Sequence, residues 1–571
     1  MKCPYHIPHM SDVKMDRLRR LGVLIPVFSL RRERDLGIGD TKALLGMVEW
    51  AASHKVGFLQ LLPINETGSD HSPYNAISSI ALDPLLISLE DISEISAPDI
   101  EVASNQLDAN STSEHLVDYD KVSSVKWDLL AKGFDVFWAE DDADTVFEAF
   151  CIEEAEWLVP YCKFRWLMEL AGTEEWELWP DEYNTPEAAE SYLSSMPVEE
   201  VERNLTFYAW VQWHAFSQWR QLREYAHQLD VKLMGDIPIG ISYSSADVFF
   251  EPEWFDLTLS GGSPPETVFK DDAFACQWGQ NWGIPIYRWD VLEQNNFSWW
   301  RRRIEKLTDI FHIFRIDHIL GFYRIYSFPW RPRRNEEFIG LNEQQARDIT
   351  GGPLPQFFPR SDDTEESRAE NLAEGDKYLR IIQEAAGEGE VVGEDLGCVP
   401  DYVRPNMENL GIAGFKVCHW EVRGHGETVR GTDYPECAFA TYATHDHDSI
   451  PAMWTGLKAM LGGLDHDGAI RGLELLSDFA GLPKGSSADS YSEYGPVVKW
   501  ALFDRLLKSN ADYASLMITD IIDSTERINI PGTVGGKNWR YRLPWKLEDM
   551  PEPLQHDCSR LKELIHLSGR S

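Results

Sequence analysis

The chain has 571 residues, of which 94 are acidic and 53 basic, for a formal net charge of −41. Like charge on that scale excludes nucleic acid and anionic membrane as partners and favours a neutral or cationic ligand. Hydrophobic residues make up 43% of the chain, enough for a sizeable core, so a disordered protein is excluded as well.

Eight cysteines (Cys3, Cys151, Cys162, Cys276, Cys398, Cys418, Cys437 and Cys558) are scattered with no CxxC pair. In a chain this long that pattern reads as reduced, mostly buried thiols in a reducing compartment. The N-terminus has no apolar stretch followed by a small-residue cleavage site, and no apolar run approaches the roughly 18 residues of a membrane span. A cytoplasmic location is expected.

Short apolar runs, often β-branched, recur along the chain. The first is Gly22–Ser29, with a helical pattern at Thr41–His54 behind it, and the second is Val56–Pro63. A long gap follows. Within it Ser96–Ser113 is polar and loop-like, while Val122–Asp230 is rich in helical patterning and tryptophan and ends in a long helix at about Val198–Leu229. The third and fourth runs are Val231–Pro238 and Phe311–Asp317. A second excess, Ser327–Asp376, includes the acidic tract SDDTEESRAENLAEGD, which reads as an added loop. A helical pattern at Tyr378–Ala386 leads into the fifth run, Glu390–Asp395, and Ile412–Cys418 and Phe439–Asp446 come next. Gly462–Glu493 has the Gly, Ser and Asp clusters of surface loops, and the helical stretch Pro496–Lys508 leads into the eighth run, Ser515–Ile522.

Continuous apolar runs fit parallel strands covered on both faces. Eight of them alternating with helices predict an α/β fold, a (β/α)8 TIM barrel. The uneven spacing predicts one catalytic barrel domain over residues 1–571, with large, mainly helical insertions in the barrel loops at about 85–230, 327–376 and 462–493.

Active sites of such barrels sit at the C-terminal ends of the strands. Five runs end in acids: Asp236 in GDIP, Asp317 in RIDH, Glu394 and Asp395 in GEDLG, Asp446 in THDHD and, more weakly, Asp520. A lone acid there is most often a helix cap or turn former. So many on one rim need a purpose or a cation. Strand alternation puts Arg315 and Asp317 on one face, away from Ile316. A charged pair ending an apolar strand is expensive to bury unless the two groups serve each other, which makes Asp317 the candidate nucleophile.

Two chemistries use such a rim. Retaining glycoside cleavage needs an ionised carboxylate nucleophile and a protonated carboxylic acid about 5–5.5 Å apart. Arg315 would keep Asp317 ionised, while Glu394, with its longer reach and a second negative charge nearby, suits the protonated acid. The alternative is a metal-dependent hydrolase, because Thr444–Asp448 (THDHD) offers imidazole and carboxylate donors to a divalent ion. Aromatic residues bear on the choice. Tyr74 in SPYN, Trp278 and Trp282 in QWGQNWGIPIYRW, and Trp539 in GGKNWRYRLP sit in polar, Gly- or Pro-rich segments. Sugars, with apolar C–H faces and hydroxyl edges, need flat aromatics beside such polar groups.

Seven segments in order, SPYN, GDIPIG with SADVF, GQNWGIPIYRWD, FRIDHILGF, GEDLG with VPDYV, ATHDHDS and NIPGTVGGKNWRYRL, resemble the 4-α-glucanotransferases. These are the amylomaltases or disproportionating enzymes of the α-amylase superfamily, and the similarity runs from Gly22 to about Leu543. It implies Asp317 as nucleophile with Arg315 beside it, Glu394 as general acid/base, and Asp446 as transition-state stabiliser with His445 alongside. Tyr74, Asp236, Gln280, Trp282 and Asn529 match positions that shape the donor-side pocket. Such an enzyme moves glucosyl or α-1,4-glucan segments between maltooligosaccharides, glycogen or other α-glucans, with no metal or organic cofactor. An α-glucan hydrolase of the same superfamily is the nearest alternative.

Overall fold

The computed structural model describes residues 18–109, 115–140, 144–266, 272–424, 426–463, 465–483 and 491–570. Cys3 and parts of the polar tracts at 96–113 and 462–493 lie outside them. Of the seven described cysteines three are buried, three half-buried, and Cys398 exposed. Among the described residues no helix is long and apolar enough to cross a membrane.

In chain order the strands are β1 (Arg20–Leu24), β2 (Phe58–Gln60), β3 (Lys232–Ile237), β4 (Phe255–Ser263), β5 (Gln280–Tyr287) and β6 (Ile313–Ile316). They continue as β7 (Ile325–Phe328), β8 (Gln356–Phe358), β9 (Glu390–Gly393), β10 (Ala413–Val417), β11 (Ala438–Thr441) and β12 (Tyr513–Met517). Eight of these close into a parallel barrel in the order β1-β12-β11-β10-β9-β6-β3-β2, with helices between them. Each expected run overlaps one barrel strand. The last is displaced. The chain leaves β12 at Met517 and turns helical over Ile518–Ile521, because Asp520 folds back to accept the Met517 amide at 2.9 Å.

The barrel centre is filled by inward residues from β2, β3, β6, β9, β10, β11 and β12: Phe58, Met234, Ile313, Val392, Phe415, Phe439 and Tyr513. Such layers make a packed core rather than a pore. β1 contributes Gly22 instead, since a Cβ there would lie 2.0 Å from the Phe58 ring. The outward residues Phe314 and Ile316 of β6 join the larger core beneath the helices.

The excess chain between β2 and β3 is helical, ending in the 31-residue helix Val198–Gln228, whose Trp210 and Trp219 are fully buried. Buried polar bonds dock this layer onto the loop after β2. Arg165 donates to Glu66 at 2.9 Å, and the Gln212 amide exchanges two bonds with the Leu82 backbone at 2.9 and 2.8 Å. The loop between Glu66 and Leu82, which carries Tyr74, is thereby held at both ends.

Two features depart from expectation. The remaining strands form a four-stranded antiparallel sheet in the order β5-β4-β7-β8, with its own small core of Phe274, Trp278, Phe328, Trp330 and Phe338. Trp278, expected beside a sugar, is buried there and donates to the Phe338 carbonyl at 3.0 Å. The acidic tract is also mostly not a loop. Thr364 caps a helix, Glu365–Ala386, by accepting the Ser367 amide at 3.1 Å. Asn371, Gly375, Leu379 and Ile382 face inward, and the acids occupy its solvent side.

Candidate active site

The site is built one pleat above the barrel core. Met234, Ile313 and Val392 fill the centre, so two residues further on Asp236, Arg315 and Glu394 face the same way, with Asp317 two beyond Arg315. β6 lies between β3 and β9, with Asp236 opposite Arg315 and Ile316 opposite Gly393. Parallel register therefore brings the acids from three strand ends together.

Arg315 is the hub. Its Nη1 donates to Asp236 Oδ1 at 2.5 Å and lies 2.9 Å from Asp317 Oδ1, and the guanidinium stands over the Phe415 ring at 5.6 Å. Burial alone would disfavour the cation, but Asp236 and Asp317 outweigh it and hold Arg315 well above its ordinary pKa. Tyr74 donates its hydroxyl to the other oxygen of Asp236 at 2.6 Å, and its ring stacks on His445 at 5.1 Å. The chain Tyr74–Asp236–Arg315–Asp317 is continuous.

The chain turns sharply just past Asp317, where His318 takes the left-handed conformation, φ 45°, which His tolerates better than most residues. That turn aims the His318 amide at Glu394 Oε2, 2.9 Å away, while the Leu396 amide donates to Oε1 at 2.8 Å. Burial first, and the Asp317 carboxylate second, push Glu394 up to about 8; Arg315 and the two amides pull the other way without cancelling them. At neutral pH the rim thus holds Glu394 as a carboxylic acid beside Asp317, which is paired with arginine.

Asp446 sits across the rim on the loop after β11. Its Oδ1 accepts from Asn529 at 2.6 Å and lies 3.3 Å from His445 Nε2. Burial would raise its pKa, but His445, the Asn529 bond, His447 and Arg315 together hold it below the usual carboxylate range. The rest of the THDHD run is engaged elsewhere. His447 Nδ1 meets the Thr444 hydroxyl at 2.8 Å, and Asp448 lies 3.4 Å from Arg527. Among the described residues, no group of three or more His, Cys, Asp or Glu side chains is placed to hold a metal ion.

These groups open into a cleft of about 1880 Å³. Of the expected site residues, Tyr74, Gln280, Trp282, Arg315, Asp317, Glu394, His445, Asp446 and Asn529 line it, and Asp236 is buried directly behind Arg315. Gln280 and Trp282 arrive on β5. Their side chains bond to each other at 3.1 Å, and Trp282 meets the His318 ring edge-on at 4.8 Å. The other two strand-end acids are structural. Asp395 accepts from the Phe415 amide and Arg404, and Asp520 caps Ile450 as well as Met517. Sequence reasoning missed Trp420, which lines the cleft with 47% of its surface exposed, and Tyr243, Trp176 and Arg331 on its wall. Trp420 stands three residues past the end of β10, on the face of the barrel where ligands bind, and that position was the available signal.

A family model described as 4-alpha-glucanotransferase matches residues 25–548. The chain belongs to that family. A 4-alpha-glucanotransferase of Chlamydia caviae is 29% identical over 98% of this chain and 96% of its own length. One from Thermus thermophilus is 30% identical over 93% of this chain and 95% of its own. Among solved structures, an amylomaltase from Streptococcus agalactiae in complex with acarbose aligns over 97% of this chain and all of its own, with 23% identity and a TM-score of 0.76. That likeness establishes the (β/α)8 fold. As a 4-alpha-glucanotransferase the chain is an enzyme, and neither the hydrolase nor the metal-dependent alternative is favoured.

Proposed function

We propose that this glucanotransferase breaks and re-forms α-1,4-glucan bonds by a retaining double displacement, with Asp317 as nucleophile and Glu394 as acid/base. The observation that carries the reading is the inequality of the two carboxyl groups. Glu394 is raised to about 8 and hydrogen-bonded to the amide that follows Asp317, while Asp317 is paired with a buried arginine. An acid and a nucleophile on one scissile bond need that split.

In the first step an Asp317 oxygen attacks the anomeric carbon as the glycosidic bond breaks, and Glu394 gives its proton to the departing oxygen. The product is a glucosyl or glucanosyl ester of Asp317. In the second step Glu394, now a carboxylate, takes the proton from the 4-hydroxyl of an acceptor as that oxygen displaces Asp317. Both partners leave as they began, and the α configuration is kept. Asp446, held ionised by His445 and Asn529, binds sugar hydroxyls and favours the oxocarbenium-like transition state. Tyr74, Asp236 and Arg315 fix the nucleophile, and Gln280, Trp282 and Trp420 offer stacking and hydrogen-bonding surface to glucan rings.

Donors and acceptors are maltooligosaccharides, glycogen or other α-glucans; the acarbose held by the Streptococcus amylomaltase is consistent with such a cleft. The chemistry calls on no metal or organic cofactor. The enzyme works as a single catalytic barrel with loop insertions, in the cytoplasm.

The test is trapping. With Glu394→Gln and an α-maltosyl fluoride donor, whose leaving group needs no proton, deglycosylation lacks its base and the ester accumulates. Peptide mapping by mass spectrometry places the added sugar on Asp317 if the assignment is right. A stable adduct on any other residue contradicts it.

A further inference from the structure

A smaller pocket of about 110 Å³ lies outside the cleft, against the first turn of the 20-residue helix Tyr119–Trp138. In a chain of net charge −41, seven Arg and Lys residues line it against two carboxylates, Asp35 and Asp118. We propose that this pocket binds a phosphate group, as the free anion or carried on a small phosphate ester.

Three of the lining cations have carboxylate partners within 3.2 Å. Arg32 is answered by Asp40 at 2.9 Å and Glu90 at 3.2 Å, Lys121 by Asp118 at 2.8 Å, and Arg542 by Asp35 at 2.7 Å. Those pairs use every carboxylate lining the pocket. Among the described residues, Arg34 and Lys546 make no ion pair, and Arg540 reaches only the carbonyls of Val117 at 2.7 Å and Gly536 at 3.4 Å. Arg542 is 8% exposed, and its buried Nε has no hydrogen-bond partner. Cations crowded together without counter-charge repel one another, and a planar guanidinium answers a phosphate with paired hydrogen bonds. The volume holds a few waters, at roughly 30 Å³ each, or one tetrahedral oxyanion, and is too small for a run of glucose rings.

The pocket is also tied to the cleft. Its wall is a short antiparallel bridge in which the Val117 amide donates to the Arg540 carbonyl at 2.7 Å and the Arg542 amide to His115 at 3.1 Å. Beside it Tyr119 donates to the carbonyl of Trp539 at 2.7 Å, and the Trp539 ring packs against both rings of the stacked Tyr74–His445 pair, at 5.8 and 5.7 Å. An anion that bridges the two segments therefore braces a cleft residue.

Calorimetric titration of the full chain with sodium phosphate, against sodium chloride at matched ionic strength, tests the proposal. Saturable phosphate binding is expected. The double variant Arg34→Ala/Lys546→Ala, at solvent-reached positions outside the catalytic machinery, should weaken it about tenfold or more and leave turnover in chloride unchanged. The single variant Arg34→Glu should weaken it in the same direction. Glucose 1-phosphate is the second titrant: binding tighter than inorganic phosphate marks a phosphate ester as ligand, and equal or weaker binding marks the free anion. Absence of saturable binding, or variants that bind phosphate like the parent, overturns the proposal.

Discussion

Glu394 carries two demands that pull against each other. Its pKa of about 8 lies above the ordinary 4.5, so between those values the folded enzyme keeps a proton that the unfolded chain has released. The proposed acid role needs that proton, so kcat/KM should fall along a basic limb with a midpoint near pH 8; a rate flat to pH 10 would rule Glu394 out as the acid. Stability runs the other way. A group whose folded pKa is raised loses stability as pH rises from about 4.5 toward 8, and above 8 the site holds a buried charge. Glu394→Gln, neutral at every pH, should therefore melt higher than the parent at pH 8.5, by on the order of a few kcal/mol, with the gap closing toward pH 5. A gap independent of pH would contradict the raised pKa. The sequence made Asp317 and Glu394 legible because strand alternation and parallel register are simple rules. It did not reveal that Asp395 and Asp520 answer backbone amides, since a strand-end acid looks the same in either role.

At the scale of elements, the helix Glu365–Ala386 offers a sharp test. Gly375 faces the Tyr323 ring, and a Cβ there would lie 2.1 Å from it. The Tyr323 hydroxyl is held by Asn406 at 2.7 Å, so the ring cannot simply swing away. Alanine in a helix interior is ordinarily better than glycine by about 1 kcal/mol. Here the overlap should win, and Gly375→Ala should destabilise by about 1–3 kcal/mol, read as a lower denaturation midpoint. A stabilised variant would mean that the helix does not dock on Tyr323. The end of this helix, Tyr378–Ala386, was expected from the sequence, but its first turns were hidden because their acids crowd the solvent face and mimic a polar loop. The antiparallel sheet was hidden for a different reason. β4 and β5 carry glycines, a proline and register shifts, so neither shows the clean alternation of a half-buried strand. The barrel strands escaped both problems, being short, apolar and covered on each face.

The whole molecule is shaped by its surplus of acids. Surface ion pairs are worth little individually, so screening them costs little, whereas a net charge of −41 repels itself across the entire surface. Added sodium chloride, taken from 10 mM to 500 mM, should raise the melting temperature by about a few degrees; a fall would show that the ion pairs outweigh the repulsion. The same charge leaves a neutral polysaccharide unopposed at the cleft. Family membership and barrel were legible across nearly the whole chain because the cleft segments lie at successive strand ends, where loop and chemistry coincide. Trp420 was not, being one of 22 tryptophans with no flanking motif. The central proposal is transfer of a sugar held on Asp317, and incubation with maltotriose reads it directly. Transfer to a 4-hydroxyl predicts free glucose together with a ladder of chains longer than the donor; glucose and maltose alone, with nothing longer than maltotriose, would contradict a glucanotransferase.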